Sequence, residues 1–191
     1  MKKNQIVGVL KSQLLQENEE LIENPKETHP HLAEFIDLLP QINSESGRGL
    51  SSMACAFIDS QLCNILLAYL LEDEKEIKKL LMGLGAPLGS LAARTLCSYS
   101  LSLISKIEYQ EINFLRKIRN ILAHDHAVQF EDEQIVAICN QLRLAARAQG
   151  EEENNSARGL FASSAVAIMM NLTNRAHYVG QERIRPRLWK Y

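Results

Sequence analysis

An all-α fold, a single bundle of about seven helices, is what this chain predicts, on three observations. Apolar residues recur three and four apart through its long segments. Alternating or β-branched runs of the kind strands need are nearly absent. Pro25, Pro40 and a glycine- and proline-rich stretch at 83–90 punctuate the periodic segments. With 191 residues, 46% of them hydrophobic and 23% charged, the chain has room for one full core. The division expected is a helical domain over 1–150, an additional helix packed on it over 151–175, and a basic tail over 176–191.

In order, Ile6, Val7, Leu10, Leu14, Leu21 and Ile22 predict an amphipathic helix over 4–23, closed by Asn24-Pro25 because the residue before proline leaves the helical region. Leu32, Phe35, Ile36, Leu38 and Leu39 form a short second helix that Pro40 ends. Residues 43–49 are a polar connector. Leu50 to Leu71 is periodic over about six turns and forms the first core helix. Asp59 lies beside its apolar stripe, as a solvated flank or as the partner of an arginine on another helix.

Glu72-Asp73-Glu74-Lys75-Glu76 is an exposed charge run. The stretch Gly83 to Ser90 is a shaped connector, without the glycine spacing of a phosphate-binding loop, in which Pro87 opens the next helix and Gly89 permits close backbone approach. That helix runs over about 88–106 with Leu91, Leu96, Leu101, Leu103 and Ile104. It carries Arg94, a charge among small and apolar neighbours and a natural partner for Asp59 or Glu111. Asp132 N-caps a later helix with Ile135, Val136, Ile138, Cys139, Leu142 and Leu144. Residues 150–155 are a solvated acidic linker, and 157–172 a last apolar helix.

Composition excludes several classes of function. A net charge of −2 and a pI near 6.2 supply no global field toward nucleic acid or anionic lipid, so any such contact is local. Cys55, Cys63, Cys97 and Cys139 have no metal-binding spacing and read as reduced, buried thiols. His29 and His31 have no third ligand spaced to join them, so neither metal nor cofactor is expected. The N-terminal apolar run is too short and interrupted for a signal peptide, and no stretch reaches the 18 or so apolar residues of a membrane span. The expectation is a cytoplasmic chain with no membrane contact.

The chemistry-bearing stretch is Ile112 to His126. Ile112, Leu115, Ile118 and Leu122 bury one helical face, while Arg116, Lys117, Arg119, Asn120 and His124 project elsewhere. Asn120 and His124 stack one turn apart near the helix's C-terminal end, with Arg119 one step round. Such a set clamps phosphate through Arg119 and moves a proton through His124, as metal-free RNA cleavage requires. The structural alternative pairs Arg119 with a buried acid and uses His124 as a C-terminal cap. The tail holds Arg183, Arg185, Arg187 and Lys190 interleaved with Trp189 and Tyr191, a composition suited to phosphate contact and base stacking or to docking on an acidic partner, the alternative being a solvated tail that balances the acidic linker.

Three separated motifs, Gly47-Arg48-Gly49-Leu50 leading to Phe57-Ile58-Asp59, then Gly85-Ala86-Pro87-Leu88-Gly89-Ser90 with Arg94, then Leu115-Arg116-Lys117-Ile118-Arg119-Asn120-Ile121-Leu122-Ala123-His124, resemble the mannitol operon repressor family over about residues 30–145. The resemblance implies an all-helical bacterial transcriptional regulator without a recognisable DNA-reading module. Arg119 to His124 is also similar to the motif of HEPN domains, which include dimeric ribonucleases. No helix presents a cluster of Arg, Asn and Gln for base edges, and the connectors do not form a helix-turn-helix. The combined expectation is regulation through protein contacts or a homo-oligomer, most simply a dimer, with any DNA contact confined to the tail. A purely structural role would instead join Arg48, Asp59, Arg94 and Arg119 in one internal ion-pair network.

Overall fold

The computed structural model describes residues 33–147 and 156–190, so the expected helix over 4–23, His29, His31 and the acidic linker lie outside the described residues. The architecture is all-helical: α1 (Ala33–Ser44), α2 (Gly47–Tyr69), α3 (Glu74–Leu81), α4 (Leu91–Ser100), α5 (Lys106–His124), α6 (Glu133–Cys139), α7 (Ala157–Thr173) and α8 (Arg175–Gly180). Among the described residues there is no strand.

The organising element is α2, against which α4, α5, α7 and α8 all pack. Its buried face includes Leu50, Ala54, Ile58, Leu62, Ile65 and Leu66, which meet Ile112, Leu115 and Ile118 of α5 and Phe161, Ile168 and Met169 of α7 in one core cluster. By length and composition Gly47–Tyr69 is apolar enough to cross a membrane, contrary to the sequence expectation; 61% of its most apolar window is buried inside this bundle, which accounts for that apolarity.

Ser46 starts α2 by accepting the Gly49 N–H, and the turn presses Gly47 onto Phe130, where an added Cβ would come within 2.8 Å of the ring. Phe130 is itself buried edge-on against Phe161 and cannot simply swing away. Gly47→Ala is therefore expected to cost about 1–3 kcal/mol by overpacking, read as a lower urea midpoint with an unchanged m-value.

Several boundaries depart from expectation, each for a local reason. α1 continues through Pro40 to Ser44, because a proline removes one hydrogen bond yet Phe35 and Ile42 on either side are both buried and hold the helix in place. The helix expected over 88–106 is two helices. Ser90 caps the first at Ala93, and Pro87 sits in the preceding turn rather than in the helix. That helix stops at Ser100, where Ser102 takes a left-handed φ of 60° and the Leu103 N–H turns back to the Ser98 carbonyl. Ser105 then starts α5 through a complete capping box with Glu108, six residues before the periodic stretch singled out from sequence. α6 does begin at an Asp132 N-cap but ends at Cys139, so Leu142 and Leu144 pack from the loop beyond it. In the 83–90 connector, Gly83 and Gly85 have φ of 99° and 78°, conformations that a side chain would strain.

Residues 175–184, the start of the expected tail, are docked. α8 packs on α2, and the Ile184 N–H donates to the Tyr69 carbonyl at 2.8 Å, closing the C-terminal end of α2.

Candidate functional site

The motif residues separate into those that serve the chain's own backbone and those that do not. Arg48, in the first turn of α2, donates to the carbonyls of Asp125, His126 and Val128 at 2.7–2.9 Å, and so gathers the loop that follows α5. Arg94 reaches from α4 to Asp59 on α2 and also donates to the Leu81 carbonyl at 2.7 Å, holding the last turn of α3. Of the two acids open to Arg94 in the sequence, Asp59 is its partner. Glu111 is used elsewhere: its carboxylate accepts from the Arg143 and Leu144 N–H groups and from Ser164 Oγ.

The four-residue ion-pair network does not form. Arg48 is satisfied by carbonyls, which act as acceptors where the carboxylate would have stood, and Asp59 is joined to Arg94 alone. Among the described residues Arg119 has no carboxylate partner, and it meets the Cys55 thiol instead. Gly85, Pro87 and Gly89 are exposed; a Cβ at Gly89 would lie 3.0 Å from the Ala86 carbonyl, so the close approach expected there is to its own turn.

Two further arginines serve the fold: Arg175, which the sequence offered only as a basic residue of the tail, and Arg158, which sequence reasoning passed over. Arg175 pairs with Glu108 at 2.8 Å and donates to the Leu103 carbonyl, joining α8 to the start of α5, and Arg158 donates to the Glu45 carbonyl at 2.8 Å. The Ser105-Lys106-Ile107-Glu108 spacing that makes the capping box was visible in the chain; the long-range partners of Arg175 and Arg158 had no local signal.

Arg119, Asn120 and His124 share α5 but not one rim. Arg119 lines a cleft of about 340 Å³ between α2, α4 and α5, together with Ser52, Cys55, Asp59 and Ser90. His124, the last residue of α5, is exposed and lines none of that cleft. Asn120 is half-buried beside Arg119 in sequence and has no hydrogen bond among the described residues. Five residues correspond to about 500° of helical rotation, so Arg119 and His124 project roughly 140° apart. Neither an acid partner for Arg119 nor a capping bond from His124 is present among the described residues. His124→Ala should accordingly shift the melting temperature by no more than about 1–2 °C, the range of an exposed side chain without partners.

All four cysteines are free thiols. Burial pushes Cys55 up, outweighing the opposing pull of Arg119, and burial likewise raises Cys63 and Cys97. Cys139, on α6, is pushed up to about 12 from 9.0. The folded chain therefore favours the protonated thiols. Their contribution to stability is complete below pH 9 and is lost as pH rises from 9 toward 12. Denaturant midpoints measured from pH 8 to 11 should fall, and fall less in Cys139→Ala; native-state alkylation should be slow at every cysteine.

In the tail, Arg183 is not free for phosphate. It donates to the carbonyls of Ala68 and Leu67 at 2.9 and 3.2 Å and lies 3.5 Å from Glu72. Arg185, Arg187 and Lys190 are exposed, with Leu188 fully exposed and Trp189 at 69%.

Fold and site together define a small all-helical protein whose motif charges largely hold its own connectors, beside one cleft that keeps an arginine without an acid. The chain belongs to the mannitol repressor family, whose sequence pattern matches residues 38–177. It is also similar to a chain in the X-ray structure of the MtlR-HPr complex from Escherichia coli, with a TM-score of 0.53 and 23% identity, over 75% of this chain and 96% of that one. That likeness is one of fold. No curated protein matches the chain.

Proposed function

We propose that this chain is a transcriptional regulator of the repressor type, for a mannitol or related sugar-alcohol operon, acting in the cytoplasm through protein contacts and self-association rather than through a DNA-reading module of its own. The observation that carries the reading is the mannitol repressor match over 38–177. A similar fold in a complex with HPr supports a small protein as the partner. Support also comes from the site, where Arg48, Arg94, Arg175 and Arg183 are engaged by carbonyls and carboxylates of the chain itself and are withdrawn from nucleic acid. The half-exposed Leu96, Ile107 and Met170 are available for contact with a partner or a second copy. Any direct DNA contact would use Arg185, Arg187 and Lys190.

A reporter fused to the mannitol operon's control region tests the reading in cells. Expression of the chain should lower the reporter, and removing residues 185–191 should leave at least half of that effect. An unchanged reporter would overturn the proposal, and repression lost with the tail would move the active contact from protein to DNA.

A further inference from the structure

The cleft between α2, α4 and α5 has a charge balance that the chain does not close. Among the described residues Asp59 is its one lining carboxylate, and that group is already paired with Arg94. Arg119 therefore brings a positive charge into the cleft with only the Cys55 thiol against it, and burial keeps that thiol neutral. Arg116, one turn earlier on α5 and close enough to influence Cys55, has no carboxylate partner among the described residues either; its Nη2 meets the amide oxygen of Asn113.

The same side chains carry unmade hydrogen bonds. Nε of Arg119, Nε of Arg116 and Oδ1 of Asp59 are buried and have no hydrogen-bond partner among the described residues. A buried polar atom without a partner costs about 1–3 kcal/mol, and two of these side chains, Arg119 and Asp59, line the one cleft, where a ligand could supply the missing partners. The cleft adds two hydroxyls, Ser52 and Ser90, and the N-terminal end of α4, where Ser90 Oγ already takes the Ala93 N–H and the helix dipole favours negative charge.

We infer that this cleft is a binding site for a small hydroxylated anion, of the class of polyol monophosphates: Arg119 and the α4 N-terminus take the anionic group, and Asp59 Oδ1 accepts a hydrogen bond from a ligand hydroxyl. A guanidinium without an acid calls for an anion, and a carboxylate oxygen without a donor calls for a hydroxyl, so neither a bare anion nor a neutral polyol satisfies both. At about 340 Å³ the cleft falls in the range that holds small molecules. Ligand seated here touches α2, α4 and α5 at once, so binding would stiffen the three helices that form this side of the bundle.

The test is a thermal-melt titration of the full chain with mannitol 1-phosphate, inorganic phosphate and free mannitol at matched ionic strength. The expected result is a saturable rise in melting temperature with mannitol 1-phosphate that exceeds the rise with either component. Arg119→Gln should weaken it roughly tenfold or more, the loss of a charge-assisted bond, and Arg119→Lys less. Ser52→Leu, at an exposed position on the rim, should block binding without loss of folding and serves if Arg119→Gln does not fold. No rise with any of the three compounds, an equal rise with inorganic phosphate, or a rise that survives both Arg119→Gln and Ser52→Leu would overturn the inference.

Discussion

Glu111→Ala should lower the melting temperature by roughly 8–16 °C, the largest loss expected from truncating any one of Glu111, Asp59 and Arg94. Glu111 is 1% exposed, and its two carboxylate oxygens accept three hydrogen bonds, from the Arg143 N–H at 3.1 Å, the Leu144 N–H at 2.9 Å and Ser164 Oγ at 2.7 Å. The two backbone donors belong to the loop after α6, and the serine to α7. One carboxylate on α5 thus substitutes for the helical bonds that the loop lacks. Truncation leaves all three donors in a dry interior, at about 1–3 kcal/mol each if nothing relaxes, and about 4 kcal/mol overall is expected after partial relaxation. For a domain of this size each kcal/mol moves the midpoint by about 2–4 °C. Glu111→Gln keeps one acceptor oxygen and should lose about half as much. Calorimetry of the two variants checks both values; a shift of only 1–2 °C for alanine would mean that the 143–144 loop is held by other contacts.

Asp59→Ala and Arg94→Ala form the second large prediction. The side chains are 30% and 10% exposed, so the pair is shielded on the arginine side and partly wetted on the acid side. Losing one partner of a fully buried pair costs about 3–5 kcal/mol, and the wetting of Asp59 brings the expectation down to about 2–4. Arg94→Ala should be the costlier change because it also releases the Leu81 carbonyl at the end of α3. The double variant should be less destabilised than the sum of the singles by more than about 1 kcal/mol, since the second substitution removes a charge already stranded by the first. Additive losses from denaturant melts would show that Arg94 works through Leu81 alone.

Periodicity made the long elements legible. α2 and α7 lie within a few residues of their expected ranges because each buries a broad apolar face that no alternative arrangement could accommodate. The division between α4 and α5 was hidden because Leu101, Leu103 and Ile104 continue the apolar spacing across the turn, while a serine, not a glycine, takes the left-handed φ. Ser105 and Glu108 carried the opposite signal, and it was the stronger one physically: a capping box satisfies two orphan donors and starts a helix at a fixed residue.

The site was legible in composition but not in connection. Arg94 stood alone as a charge in an apolar stretch, which narrowed its partner to Asp59 or Glu111, and the structure decides for Asp59. Arg48 could not be assigned, since its partners are carbonyls about 80 residues away, and every residue has a carbonyl. The likeness of Arg119 to His124 to a ribonuclease motif rests on spacing along one helix, and the structure turns the two side chains toward different surroundings. The basic tail read as one unit, yet Arg183 belongs to the α2 cap while Arg185, Arg187 and Lys190 are exposed.

The most direct test of a regulator that works by protein contact is isothermal titration of the full chain with purified HPr from the same cells, for wild type and His124→Ala, alongside a titration with a fragment of the mannitol control region. The account predicts saturable binding of HPr with equal affinity for both proteins and no saturable binding of the fragment. Saturable binding of the fragment with no heat from HPr would contradict it.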